Sequence, residues 1–326
     1  MFRRHLLGAS AAALASPLAL RGAAAQGAFP NQPVRLVVPF AAGGPTDIPA
    51  RLFAEEIGRN LPHRLIVENR TGAGVVVGSD LVAKAPKDGH TLLYTTVAHA
   101  VLRALFPRLP FDADADFAPV ALVGVIPMVV TVNKDVPVRT LRELEARAKA
   151  ERGRIDYASS GNGGALHLAT ELMLRRMGAQ GNHIPYRGTA AAMPDVLNGT
   201  IPLIVDVATS AVPYVQRGET RGLAVMDNRR LPQLPDVPTT AESGYPDLEA
   251  YTWHMVMAPA GTPAPVIEQV NGWFMQAARQ QAVQQRLSDL AMRLVTDSTP
   301  ASAAQWLRSE TRKWSDLVRE ANIRVD

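Results

Sequence analysis

The sequence predicts an α/β protein of two lobes joined by two crossing strands, with a cleft between the lobes. Three observations carry this. Short apolar runs alternate with helical patterns from residue 34 onward, the pattern of mostly parallel strands covered by helices. The apolar run "PVALVGVIPMVVTVN" (119–133) is too long for one ordinary strand. A second long apolar run, "AYTWHMVMAP" (250–259), offers a return crossing. The first domain is then discontinuous, 27–127 plus 255–326, around an inserted domain 128–254.

The elements follow in order. "VRLVVPF" (34–40) reads as a buried strand and 47–60 as an amphipathic helix. "RLIVEN" (64–69) is a second strand, and "TGAGVVVGSDLVAKA" (71–85) a glycine-rich turn entering a helix. "TLLYTT" is a third strand, with a helix at 97–105. Beyond the first crossing, Thr140-x-x-Glu143 predicts a capping box for a helix at 141–150. Strands at 154–160, 183–186, 201–207 and 221–226 alternate with helices at 165–177, 190–198 and 209–217. A proline-rich loop precedes the return crossing, and helices near 263–280 and 300–321 end the chain.

Residues 1–25 carry Arg3 and Arg4, an apolar run broken by Pro17, and Ala23-x-Ala25. This is the pattern of a secretory signal cut before Gln26, by the general or the twin-arginine route. Removing Arg3, Arg4 and Arg21 takes 34 basic residues to 31 against 30 acidic, so the net charge falls from +4 to +1. With no dense basic patch, nucleic acid is not an expected partner. The chain has 0 cysteines, which removes thiol nucleophiles, disulfides and lipid attachment to cysteine. A soluble, periplasmic, monomeric product is expected.

Two loops share one grammar: "VVPFAAGGPTD" and "YASSGNGGALH". Each follows a strand, is built of small residues and opens a helix. Amides at a helix N-terminus lack intrahelical partners and carry partial positive charge, and small residues let an anion reach them. Phe40, Ala41, Gly43, Gly44, Thr46, Thr96, Ser160, Gly161, Asn162 and Gly163 are therefore candidate ligand contacts. Asp47 is either a contact or a brace of its loop, with Arg51 able to pair with it. "HIPYRGTAA" offers Arg187 and Thr189; Arg187 is a cation for the ligand or half of a structural ion pair. Asp206 ends an apolar strand, where it could accept hydrogen bonds from a loop or select ligand hydroxyl or amino groups.

Enzyme motifs are missing: no H-E-x-x-H, G-x-S-x-G or P-loop occurs. "DADAD" (112–116) departs from a calcium loop at Phe117 and Val123, so it reads as a solvated turn. His99, His167 and His183 read as scattered loop or cap residues, and no metal or other cofactor is expected.

"VRLVVPFAAGGPTDIPAR", "VENRTGAG", "APKDGHTLLYTT", "HIPYRG", "LPDVPTTAESGYP" and "APAGTP" occur in this order. In these the chain resembles, end to end, the periplasmic substrate-binding receptors of tripartite tricarboxylate transporters, the Bordetella uptake family. The resemblance implies a type II periplasmic-binding fold. It implies capture of a small organic anion, commonly a carboxylate, through backbone amides, loop hydroxyls and waters at 40–47 and 159–164, with Asp206 at the inserted domain's strand end. The loaded receptor would dock on membrane transporter subunits; a sensor kinase is the alternative partner, and a hydrolase or lyase using Asp47, His99 or His167 the remaining one. Pro45 stands where the family often has a third glycine, Gly164 where a serine is common, and Val205 where an aromatic is frequent. The three changes imply fewer polar contacts and more room.

Overall fold

The computed structural model describes residues 29–150 and 154–325; the secretory signal expected at 1–25 lies outside the described residues. The chain begins with β1 (Val34–Val38), α1 (Asp47–Gly58), β2 (Leu65–Asn69), α2 (Val76–Ala83), β3 (Thr91–Thr95) and a single turn, α3 (Leu102–Leu105). β4 (Phe117–Asn133) leads to α4 (Leu141–Ala150), β5 (Arg154–Ser159), α5 (Ala165–Met177), β6 (Gln180–Pro185), α6 (Thr189–Leu197), β7 (Leu203–Val207), α7 (Ala208–Gln216) and β8 (Thr220–Val225). β9 (Tyr251–Pro259), α8 (Ala264–Ala278), α9 (Gln281–Asp289), β10 (Arg293–Leu294) and α10 (Pro300–Glu320) complete it.

β4 organises the molecule. Its first part pairs with β9, from Phe117 opposite Pro259 to Pro127 opposite Tyr251. From Met128 onward it pairs with β7 and β8 instead. One 17-residue strand thus belongs to two sheets, and the partner changes between Pro127 and Met128. The seam is closed by backbone hydrogen bonds: Met128 N–H to Ala250 O, Ala250 N–H to Met226 O and Met226 N–H to Met128 O, at 3.1, 3.1 and 2.8 Å.

Strand sense differs from the expected mostly parallel sheet. β1 runs parallel to β2 and β3, and β5 to β6 and β7, but every pair made by β4 or β9 is antiparallel. The cause is the crossing itself, because a chain that runs out and returns must lay those segments head to tail. β9 is not a crossing strand, since Tyr251 to His254 pair with the first part of β4. The return is made at Ala250.

Two helical expectations also change. Residues 97–101 form turns and only Leu102–Leu105 are helical. At α4, Thr140 Oγ1 accepts the Glu143 N–H at 3.1 Å, but the Glu143 carboxylate returns to the Arg139 N–H at 2.6 Å. The box therefore closes one residue early. Asp112 Oδ1 accepts the amides of Asp114 and Ala115, which makes "DADAD" an acidic turn.

β1, β3, β5, β6 and β7 all end at the junction between the lobes. Carboxyl ends of parallel strands leave open crevices where loops turn into helices, and the candidate loops lie there.

Candidate ligand cleft

A cavity of about 810 Å³ lies between the lobes. Its wall contains Phe40, Ala41, Gly44, Thr46, Thr96, Ser160, Gly161, Asn162, Gly163 and Thr189. Ten of the fourteen predicted residues are thus brought together from four strand ends. Gly43, Asp47, Arg187 and Asp206 are not in the wall.

Asp47 shows why the first loop holds its shape. Its side chain is buried, and Oδ2 accepts the Gly43 N–H and Arg51 Nε–H, both at 2.8 Å. Oδ1 accepts from Asn69 Nδ2 at 2.8 Å, and the same amide nitrogen reaches the Phe40 carbonyl at 3.0 Å. Burial alone would raise the Asp47 carboxyl, but the bonds from Arg51, Gly43 and Asn69 outweigh it and hold the pKa below the usual carboxylate range. Asp47 is a brace, and the Gly43 amide is spent on it. Thr46 occupies the N-cap position of α1, with no side-chain capping bond.

The second loop is braced from behind by a histidine stack that sequence reasoning missed. The His167 and His183 rings lie 3.8 Å apart, and the Tyr157 ring lies beside both, 5.1 Å from His183 and 6.2 Å from His167. His167 Nδ1 accepts the Gly163 N–H at 3.0 Å, and His183 Nε2 lies 2.5 Å from Ser159 Oγ, which accepts the Gly161 N–H at 3.1 Å. Burial holds His183 down at about 4, and burial with the neighbouring ring holds His167 at about 3. Both are neutral near neutral pH, as an accepting Nδ1 requires. Ser159 is fully buried behind the loop and outside the cleft wall, so the Ser–His contact is a brace without access to ligand. His99 is likewise structural, with Nε2 2.9 Å from the Ala113 carbonyl oxygen.

Arg187 is exposed and makes neither a cleft contact nor an ion pair among the described residues. The turn after β6 has Gly188 at φ +101°, and Gly188, Thr189 and Ala190 face the cleft instead. Asp206 lies just beneath the wall. Its Oδ1 accepts from the Thr189 hydroxyl at 3.1 Å and the Val207 N–H at 2.8 Å. Burial pushes its carboxyl up to about 7 against those two bonds. Val205 is fully buried away from the cleft and adds no room to it.

Four helices start at this cavity: α1 at Thr46, α5 at Gly164, α6 at Gly188 and α7 at Val207. The last was expected as a helix at 209–217 but not as part of the cleft, although "LIVDVATS" carries the same strand-to-helix grammar. The amides of Ala41, Thr46, Asn162, Ala165, Thr189 and Ala190 have no hydrogen-bond partner among the described residues. Among the described residues no Asp, Glu, Lys, Arg or His lines the cavity. Such a site draws an anion by aligned peptide dipoles and free amides, with no full countercharge.

Two α/β lobes flanking a cleft of helix N-termini define a solute-binding protein of the periplasmic type. The model of the tripartite tricarboxylate transporter family receptor matches residues 49–323, and the chain belongs to that family. Among its relatives is the protein BugT of Bordetella pertussis, 34% identical over 299 residues, covering 91% of each chain. The solved periplasmic binding protein BugD is 32% identical with a TM-score of 0.77, covering 91% of this chain and 100% of that one. MatC of Rhodopseudomonas palustris, solved with bound malate, is 33% identical with a TM-score of 0.76, covering 89% and 100%. A second R. palustris protein, solved with adipate, is 30% identical with a TM-score of 0.80, covering 91% and 100%. Among the described residues no helix is long and apolar enough to cross a membrane.

Proposed function

We propose that the chain is an exported receptor that captures a small organic carboxylate between its lobes and delivers it to a tripartite tricarboxylate transporter. One observation carries this reading: four helix N-termini meet at a cavity whose wall, among the described residues, holds no charged side chain. A carboxylate there accepts from the amides of the two glycine loops and from the hydroxyls of Thr46 and Ser160, while the Thr189 hydroxyl is spent on Asp206. The absence of an arginine keeps the complex reversible, as delivery requires, because no bidentate ion pair must be broken on release. Relatives solved with malate and adipate support the ligand class.

The test is thermal unfolding of the refolded, ligand-free protein against a panel of carboxylates and their neutral amides. A ligand at a hundred times its Kd stabilises the folded state by about 2.7 kcal/mol. Shifts with the acids and none with the amides are expected; a flat panel overturns the reading. Gly44→Val brings bulk to the wall, and its Cβ would press on the Ala41 carbonyl oxygen at 3.3 Å. It should abolish the shifts.

A further inference from the structure

We propose that the ligand is a monocarboxylate with a bulky apolar body, aromatic or branched, in preference to a short dicarboxylate. This rests on the carboxylate reading above. Part of the cavity wall is a continuous apolar surface. Val101 and Leu105 lie one helical turn apart, joined by the Leu105 N–H to Val101 O bond at 3.0 Å, so they share a face. Phe106 follows and closes on Gly74, where a Cβ would fall 2.9 Å from the ring's Cζ. Leu105 and Val325 both press on Gly163 of the second loop, where a Cβ would meet them at 2.6 and 3.0 Å. The surface therefore crosses from the first lobe to the second and is completed by the chain's C-terminal segment. Val75 and Leu166 extend it.

A second carboxylate laid on this wall would lose its water with no cation to replace it, since the wall holds none among the described residues. An unpaired buried charge is strongly disfavoured, whereas an apolar ring there gains with every area it removes from water. The donor supply points the same way. Pro45 in the first loop has no N–H, and Gly164 at the start of α5 has no hydroxyl beside Ser160. The free amides named above belong to the two glycine loops and the start of α6, apart from the apolar wall of Val101, Leu105, Phe106 and Val325. The cavity of about 810 Å³ accommodates a head with a ring, lying within the roughly 300–1,000 Å³ of sites for drug-sized ligands.

Calorimetric titration of the ligand-free protein separates the cases, with phenylacetate, hydrocinnamate and isocaproate set against adipate and malate, and hydrocinnamamide as the neutral control. The monoacids should bind at least about tenfold more tightly than either diacid, because a charge on the apolar wall goes unpaired. The amide should not bind. Val325→Arg, a change in the half-exposed C-terminal segment, places a cation on the wall. It should narrow or reverse the preference, raising adipate affinity while lowering that of hydrocinnamate; Phe106→Arg repeats the test from the first lobe. Adipate or malate binding as tightly as the monoacids overturns the inference and leaves the carboxylate reading intact. An Arg variant that leaves the preference unchanged also overturns it. If no acid of either kind binds, the carboxylate reading itself falls.

Discussion

Among single residues, the braces are as informative as the contacts. Asp47→Asn keeps the shape but turns one accepting oxygen into a donor, so one of three hydrogen bonds to the carboxylate is broken. A loss of about 1–3 kcal/mol in urea unfolding is expected for stranding such a group. His167→Ala removes the acceptor of the Gly163 N–H while leaving the cleft wall untouched. Ligand affinity should fall about tenfold, the worth of one hydrogen bond, and His167→Asn, whose carbonyl can accept the same N–H, should recover part of it. Full affinity in the alanine variant would show that the stack does not position the loop. Asp47 was legible in the sequence as a possible brace because acid, glycine and helix start lie within five positions. The stack was not, because His167 on α5 and His183 on β6 lie 16 positions apart and meet only where α5 packs against β6. Arg187 misled for the opposite reason: charge suggested a ligand contact, while Gly188 turns the chain so that Thr189 reaches the cavity.

Elements carry the next lesson. Strands β1, β3 and β7 were readable because each is almost wholly buried and so is a largely apolar run. The helix expected at 97–105 shortened because its first residues line the cleft and end a strand. α9 was overlooked because it follows α8 after only two residues and shows few apolar positions, with Val283 and Leu287 alone buried. The longest helix among the described residues, α10, packs on β4 and reaches β9 through Glu310. Glu310 is buried on it, and its Oε2 accepts from Trp253 Nε1 on β9 at 2.9 Å and from Trp314 Nε1 at 2.7 Å. Glu310→Ala strands two buried indole donors, so a loss of about 2–6 kcal/mol is expected at about 1–3 per stranded group. Glu310→Gln retains an acceptor and should cost less. Guanidinium unfolding followed by tryptophan emission reads both; equal stability of the two variants would mean the indoles find water instead.

At the scale of the whole molecule, the two-lobed plan was legible because one apolar run of unusual length has no other use than to serve two sheets. The antiparallel centre was not, since strand direction follows from the path of the chain and leaves no mark on composition. The buried ionisable groups also act at this scale, because each contributes to global stability through protons. His254 is fully buried on β9 with neither ring nitrogen hydrogen-bonded, and burial takes its pKa from 6.5 to about 3. His167, at about 3, and the half-buried His183, at about 4, follow it. Below about pH 6.5 the unfolded chain binds these protons and the folded chain does not, so stability is full above that pH and falls as acid is added. Asp206 has the opposite sign. Its carboxyl titrates near 7 folded and near 3.8 unfolded, so the folded chain holds the extra proton between those values and loses that advantage as pH rises. Three histidines against one aspartate leave a net loss of stability from about pH 6.5 down to about pH 5. His254 contributes at most about 1.4 kcal/mol per pH unit, and the less buried His183 less. Urea unfolding of wild type and His254→Phe across this range tests the sign and the share. The variant should show a slope shallower by up to one proton, with its greatest relative gain at the acid end. An unchanged slope would mean that His254 is protonated equally in both states, and that the apolar junction of β9 with β3 is open to water.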